Sequence, residues 1–158
     1  MFSVTTNSEN ETLALGRKIA PFLRKGDVIV LLGDLGAGKT LFVSGLLDFY
    51  NKKDEASSPT FTIVNEYNLK DDLTLFHFDV YRLESSNEFL AIGGDEFFDK
   101  GISVIEWGNK ILDVLPKDSL FINIEKNPDD VNKRIFSFNS SSDKFNSLFE
   151  EVNLKWKF

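Results

Sequence analysis

The stretch Val28-Ile29-Val30-Leu31-Leu32-Gly33-Asp34-Leu35-Gly36-Ala37-Gly38-Lys39-Thr40 decides how this chain is read. Its first five residues are an unbroken apolar run containing three β-branched side chains. Such a run suits a parallel strand covered on both faces. Gly33 to Thr40 then matches G-x-x-x-x-G-K-[ST] at every fixed position. Glycines let a loop take positive φ and aim successive N–H groups inward, making a concave anion nest. A helical pattern from Lys39 to about Tyr50 adds its N-terminal dipole to the same spot. In that arrangement Lys39 is a point charge for β- and γ-phosphates, and the Thr40 hydroxyl is a Mg²⁺ ligand. The expected nucleotide-binding set is Asp34, Leu35, Gly36, Ala37, Gly38, Lys39, Thr40 and Leu41. By chance, four fixed positions would match in about a percent or less of chains this long.

Working outward, Phe2 to Thr5 reads as a short strand. Ser8 and Glu11 have capping-box spacing ahead of a helix carrying Leu15, Ile19, Phe22 and Leu23 on one face, with Pro21 near its end. Asn51 to Ser58 is polar and reads as loop. Phe61 to Tyr67 and Leu73 to Tyr81 read as strands whose short connection predicts an antiparallel hairpin. Leu83 to Lys100 reads as helix broken at Gly93-Gly94. Ile102 to Trp107, Leu120 to Glu125 and Arg134 to Phe138 complete the sheet, and a C-terminal helix is expected over about 143–152. The pattern predicts one three-layer α/β domain over 1–158: a P-loop NTPase-like fold whose mixed, mostly parallel central sheet is flanked by helices.

Composition narrows the partners. The chain has 158 residues, enough for one substantial core, and is 42% apolar with 16 phenylalanines. A net charge of −7, with acids interspersed among Lys and Arg, argues against a stand-alone nucleic-acid binder. There is no cysteine, which rules out disulfides, zinc–thiolate sites and a cysteine nucleophile. With neither a signal-peptide pattern nor a membrane-length apolar run, the expected place is the cytoplasm.

A phosphate cradle needs a carboxylate for the metal and something to orient water. Asp79 ends Leu75-Phe76-His77-Phe78-Asp79, and Glu106 ends Ile102-Ser103-Val104-Ile105-Glu106. Both have the apolar-run-then-acid shape of a metal-holding strand end, and the pattern leaves open which of them holds Mg²⁺. His77, the only histidine, reads as a packed core residue. Arg82 reads as a structural salt bridge, with a charge-stabilising finger as the alternative.

These residues together resemble the TsaE (YjeE) family of bacterial P-loop ATPases. The likeness runs in order through Leu32 to Thr40, Ser58-Pro59-Thr60-Phe61-Thr62, Asn65-Glu66-Tyr67, His77-Phe78-Asp79-Val80-Tyr81-Arg82-Leu83 and Ile105-Glu106-Trp107. It implies ATP and Mg²⁺ as cofactors, with Thr40 and Asp79 on the metal. It implies Glu106 as the catalytic carboxylate, close to the γ-phosphate or the metal and its water. Lys39 and Asp79 join Glu106 in the catalytic set, and Trp107 lies close to the nucleotide. Ser58, Pro59 and Thr60 form a switch loop sensing the γ-phosphate. The implied activity is a Mg-dependent, partner-stimulated ATPase acting with TsaD and TsaB in forming threonylcarbamoyladenosine in tRNA. The partners, not this chain, hold the tRNA. Leu41 stands where the family pattern commonly has a second hydroxyl residue, and the last forty residues match only loosely.

Two other classes share the P-loop. A small-molecule phosphotransferase normally needs an arginine-rich lid, and the four arginines here, at 17, 24, 82 and 134, do not cluster. A nucleotide-dependent interaction module would need no catalytic carboxylates. The absence of an N-K-x-D guanine-reading motif favours ATP.

Overall fold

The computed structural model describes residues 2–156, so positions 1, 157 and 158 of the expected 1–158 domain lie outside the described residues. The strands are β1 (Phe2–Thr6), β2 (Val28–Leu32), β3 (Val64–Asn68), β4 (Thr74–Asp79), β5 (Ile102–Glu106), β6 (Leu120–Lys126) and β7 (Arg134–Asn139). The helices are α1 (Glu9–Ile19), α2 (Lys39–Phe49), α3 (Ser86–Ala91) and α4 (Asn146–Lys155). One sheet takes the order β1-β7-β6-β2-β5-β4-β3. β2 pairs in parallel with both β5 and β6, and β4 in parallel with β5. β7 runs antiparallel to β6 and β1 antiparallel to β7, so β1, β2, β4, β5 and β6 share one direction. β3 closes the far edge as the antiparallel hairpin partner of β4.

Alternation along the central strands sorts the core into two layers. Ile29 and Leu31 of β2 pack with Val104, Ile122 and Phe138 against α1, α2 and α4. Val28 and Val30 face the other way, with Phe76, Phe78 and Ile105, against Phe89 of α3 and Ile111. An apolar strand with no polar alternate is what a doubly covered sheet demands.

Local chemistry explains the element ends. The Ser8 hydroxyl accepts from the Glu11 N–H at 3.1 Å and starts α1. The Glu11 carboxylate reaches one residue beyond the usual capping box, to the Asn7 N–H at 2.6 Å. Pro21 falls within a 3₁₀ turn, Ala20–Phe22, that follows α1. The segment from 83 to 100 is broken as expected: α3 stops at Ala91, and a 3₁₀ turn begins at Gly94 after Gly93 at φ +76°. The C-terminal helix is shifted: Asp143–Phe145 is a 3₁₀ turn, and α4 begins at Asn146 and runs to Lys155. The Ser142 hydroxyl, accepting from the Lys144 N–H, caps that turn.

Candidate nucleotide site

β2 enters the sheet's centre and leaves it at Gly33, where the chain must pass tightly against β6. A Cβ on Gly33 would stand 2.5 Å from the Ile124 carbonyl oxygen, and its φ is +145°. Gly38 then takes φ +107° and caps α2 with no side-chain hydrogen bond, so the helix's first N–H groups stay free for an anion. Two cations from the β6–β7 side brace the loop. Lys126 Nζ donates to the Leu35 carbonyl at 2.7 Å, and Arg134 Nε to the Ala37 carbonyl at 2.8 Å.

Lys39 is buried with 5% of its surface exposed. Its ammonium donates to the carbonyls of Gly33 at 2.6 Å and Asp34 at 3.0 Å. It also lies 4.3 Å from the centre of the Trp107 ring. Burial pushes Lys39 below the ordinary lysine value, against the attraction of Glu106, Asp79 and Asp34; Lys126 pushes it the same way as burial. Trp107 reaches this position because its backbone turns left-handed, φ +65°, directly after β5, and its ring rests 4.9 Å from that of Tyr81.

The two carboxylates stand side by side, since Asp79 and Glu106 are register partners at the ends of parallel strands β4 and β5. Ligand sites of open α/β sheets form outside such carboxyl ends. Glu106 Oε2 accepts from Thr40 Oγ1 at 3.3 Å and lies 2.5 Å from His77 Nε2. Asp79 Oδ1 accepts from the Tyr81 N–H at 2.9 Å, and Oδ2 from Thr60 Oγ1 at 3.2 Å. Thr60 is in turn 2.7 Å from the Ser58 hydroxyl. The loop carrying these hydroxyls closes through Ile63, whose N–H donates to the Pro59 carbonyl and whose own carbonyl accepts from the Asp79 N–H, both at 2.8 Å. Ile63 holds φ +69°, an outlier for a β-branched residue.

These groups share a cleft of about 350 Å³. Leu35, Gly36, Gly38, Lys39, Thr40 and Leu41 form its floor; Asp79, Glu106 and Trp107 one wall; Ser58 and Thr60 the rim. Asp34 and Ala37 instead line a second hollow behind the loop, with Asn123 and Lys126. Pro59 is buried behind the rim. Arg82 is exposed and donates to the Phe61 carbonyl at 3.4 Å, outside the cleft. Sequence reasoning did not assign the far wall to the site: Glu9 and Thr12 of α1, with Val131, Asn132 and Arg134 before and at the start of β7. Nothing short of the tertiary fold brings those segments to the loop.

The donor set suits a hard divalent cation. Thr40 offers a hydroxyl, and Asp79 and Glu106 offer carboxylates, all on one cleft. Among the described residues no group of three or more His, Cys, Asp or Glu forms a metal cluster. Mg²⁺ typically takes one or two carboxylates and completes its shell with phosphate and water.

A mostly parallel, doubly covered sheet with a glycine-rich loop opening a helix at its carboxyl edge defines a P-loop NTPase-like α/β protein. Residues 6–135 match the model of a family described as threonylcarbamoyl adenosine biosynthesis protein TsaE. The chain is 40% identical over 150 residues to the Bacillus subtilis tRNA threonylcarbamoyladenosine biosynthesis protein TsaE, covering 94% of this chain and 91% of that one. It is 40% identical over 120 residues to the protein of the same name from Treponema pallidum, covering 75% and 87%. The crystal structure of Bacillus subtilis YdiB superposes with a TM-score of 0.75 at 33% identity, covering 97% of this chain and 94% of that one. The chain belongs to the TsaE family of threonylcarbamoyladenosine biosynthesis.

Proposed function

We propose that this protein binds ATP with Mg²⁺ in the cleft and hydrolyses it, acting with TsaD and TsaB to form threonylcarbamoyladenosine in tRNA. The observation that carries this reading is the convergence of an open helix N-terminus, Lys39, Thr40, Asp79 and Glu106 on one cleft in a chain of this family. Lys39 exchanges the Gly33 and Asp34 carbonyls for oxygens of the β- and γ-phosphates, which are stronger acceptors for a cation. Thr40 and Asp79 hold the metal, and Glu106 orients the attacking water. Bound Mg²⁺ would neutralise charge building on the phosphates. Thr60, already on Asp79, turns its hydroxyl toward the γ-phosphate and orders the Ser58–Thr60 rim; hydrolysis releases the rim and resets the partner complex for another turnover.

The acidic chain leaves tRNA to its partners. We place its work in the cytoplasm, with the whole chain acting as one domain. No helix among the described residues is long and apolar enough to cross a membrane.

The test is Mg²⁺-dependent ATP hydrolysis by the purified protein, alone and with TsaD–TsaB from its own organism, with Glu106→Ala as control. Stimulation by the partners that Glu106→Ala abolishes is expected. Absence of both stimulation and ATP-dependent association with TsaD–TsaB would refute the reading.

A further inference from the structure

His77 sits in β4 two residues before Asp79, on the same face as Leu75, which packs toward α1 and α2. It is 1% exposed and Glu106 is 4% exposed. A buried histidine among apolar strand residues needs no carboxylate, yet Nε2 lies 2.5 Å from Glu106 Oε2. Its other nitrogen, Nδ1, is buried without a hydrogen-bond partner. That asymmetry assigns the tautomer. A proton on Nδ1 would be an unsatisfied buried donor and would aim the Nε2 lone pair at a carboxylate oxygen. With the proton on Nε2, the ring donates to Glu106 and leaves only a bare acceptor unpaired.

Thr40 Oγ1 approaches the same Oε2 atom, so both contacts fall on one oxygen of Glu106. The carboxylate is therefore held from the sheet side by β4 and from the loop side by α2. Its Oε1 is left for whatever enters the cleft, which Glu106 lines. We propose that His77 is a positioning residue: its Nε2–H fixes Oε2 of Glu106 so that Oε1 meets the nucleotide and its attacking water. This rests on the reading that Glu106 acts on bound ATP. The competing account is that His77 merely satisfies a buried carboxylate, which would move stability but not the catalytic step.

Side-chain reach separates the two. A glutamine amide can place N–H near the Nε2 position, whereas an asparagine amide reaches only as far as Nδ1. His77→Asn and His77→Leu should lower kcat roughly 10- to 100-fold, the loss of one hydrogen bond to a charged group. His77→Gln should stay within about threefold of wild type, given a donor of matching reach. Nucleotide affinity without Mg²⁺ should change by less than about twofold in all three, because the cradle of N–H groups is untouched. A second readout is free of activity. His77 is the only histidine, so ¹⁵N NMR of a histidine-labelled sample reports it alone. Nε2 should carry the proton, Nδ1 should be bare, and Glu106→Gln should shift the Nε2–H resonance. An Nδ1–H tautomer, or equal kcat losses in the Gln and Asn variants, would overturn the proposal. Should Glu106→Gln be impaired while His77→Asn turns over normally, only this inference fails. Full turnover by Glu106→Gln would sink the assigned role of Glu106 and this inference with it.

Discussion

Lys39 is the residue where function and stability oppose each other. Its ammonium is buried, and burial depresses its basicity despite three neighbouring acids. Two backbone carbonyls and the Trp107 face are its present partners. A lysine whose basicity is lowered on folding costs stability in its charged form even with those acids nearby, so an apolar side chain of similar volume removes that cost. Lys39→Met should therefore melt at or above the wild-type temperature in calorimetry. The same variant should bind ATP roughly 10- to 100-fold more weakly by titration calorimetry, since a charged hydrogen-bond donor is gone. A large loss of melting temperature would mean that the lysine supports the loop itself. At this scale the sequence spoke clearly wherever the chemistry is contiguous or ends an apolar run. That covers Gly33 to Thr40, Asp79 and Glu106, which the fold brings to one cleft. It spoke half-clearly at His77, which is buried as expected but tied to Glu106. It was silent on the left-handed backbone of Trp107 and Ile63, because neither an indole nor a β-branched side chain advertises positive φ.

At the scale of elements, α1 and α2 touch through glycine. A Cβ on Gly45 would lie 2.5 Å from the Leu13 carbonyl oxygen, and one on Gly16 would lie 2.7 Å from that of Phe42. Backbone cannot yield as a flexible side chain can. Gly45→Ala should cost about 1–3 kcal/mol as overpacking, read as a lower urea midpoint with unchanged m-value. Gly26→Ala is the contrast: its Cβ meets nothing within 4 Å and only its φ of +95° opposes it, so a cost nearer 1 kcal/mol is expected. A second element-level tie is Lys144, whose ammonium bridges Asp27 at 3.0 Å and Asp118 at 2.9 Å, fastening the turn before α4 to the starts of β2 and β6. Burial lowers its pKa, but the hydrogen bonds and charges of the two aspartates outweigh that and raise it above 10.5. A raised lysine contributes stability fully below its unfolded value and loses it as pH rises through the folded one. The urea midpoint gap between wild type and Lys144→Met should thus correspond to about 0.5–1 kcal/mol at neutral pH and shrink in strongly alkaline buffer. Most helices and strands were legible because local periodicity and caps declare them. β3, however, begins at Val64 rather than at the expected Phe61, since residues 61–63 turn and Ile63 takes positive φ. The pairing of β1 with β7 was not legible, since Phe2 meets Phe138 across the length of the chain and only the closed sheet specifies it.

For the whole molecule, the cleft is where parts distant in sequence meet. The β6–β7 side braces the loop through Lys126 and Arg134, and α1 contributes Glu9 and Thr12 to the wall. The Ser58–Thr60 rim hangs on Asp79 from the other half of the sheet. A nucleotide held here would join both halves, so its binding should stabilise global folding rather than one loop. At a ligand concentration 100 times Kd, linkage gives about 2.7 kcal/mol, or about 5 to 10 °C in melting temperature for a chain of this size. The sign of the metal's contribution follows from charge. Asp79 and Glu106 line the cleft and the chain carries −7 overall, so ATP bound there without Mg²⁺ would meet repulsion that the metal would cancel. Thermal shift with Mg·ATP should therefore exceed that with ATP and EDTA, and Asp79→Asn should narrow the difference while leaving the EDTA value equal or higher. Equal shifts with and without Mg²⁺ would detach the carboxylate pair from the metal. The absence of any shift at millimolar Mg·ATP would mean that the cleft does not take the nucleotide at all.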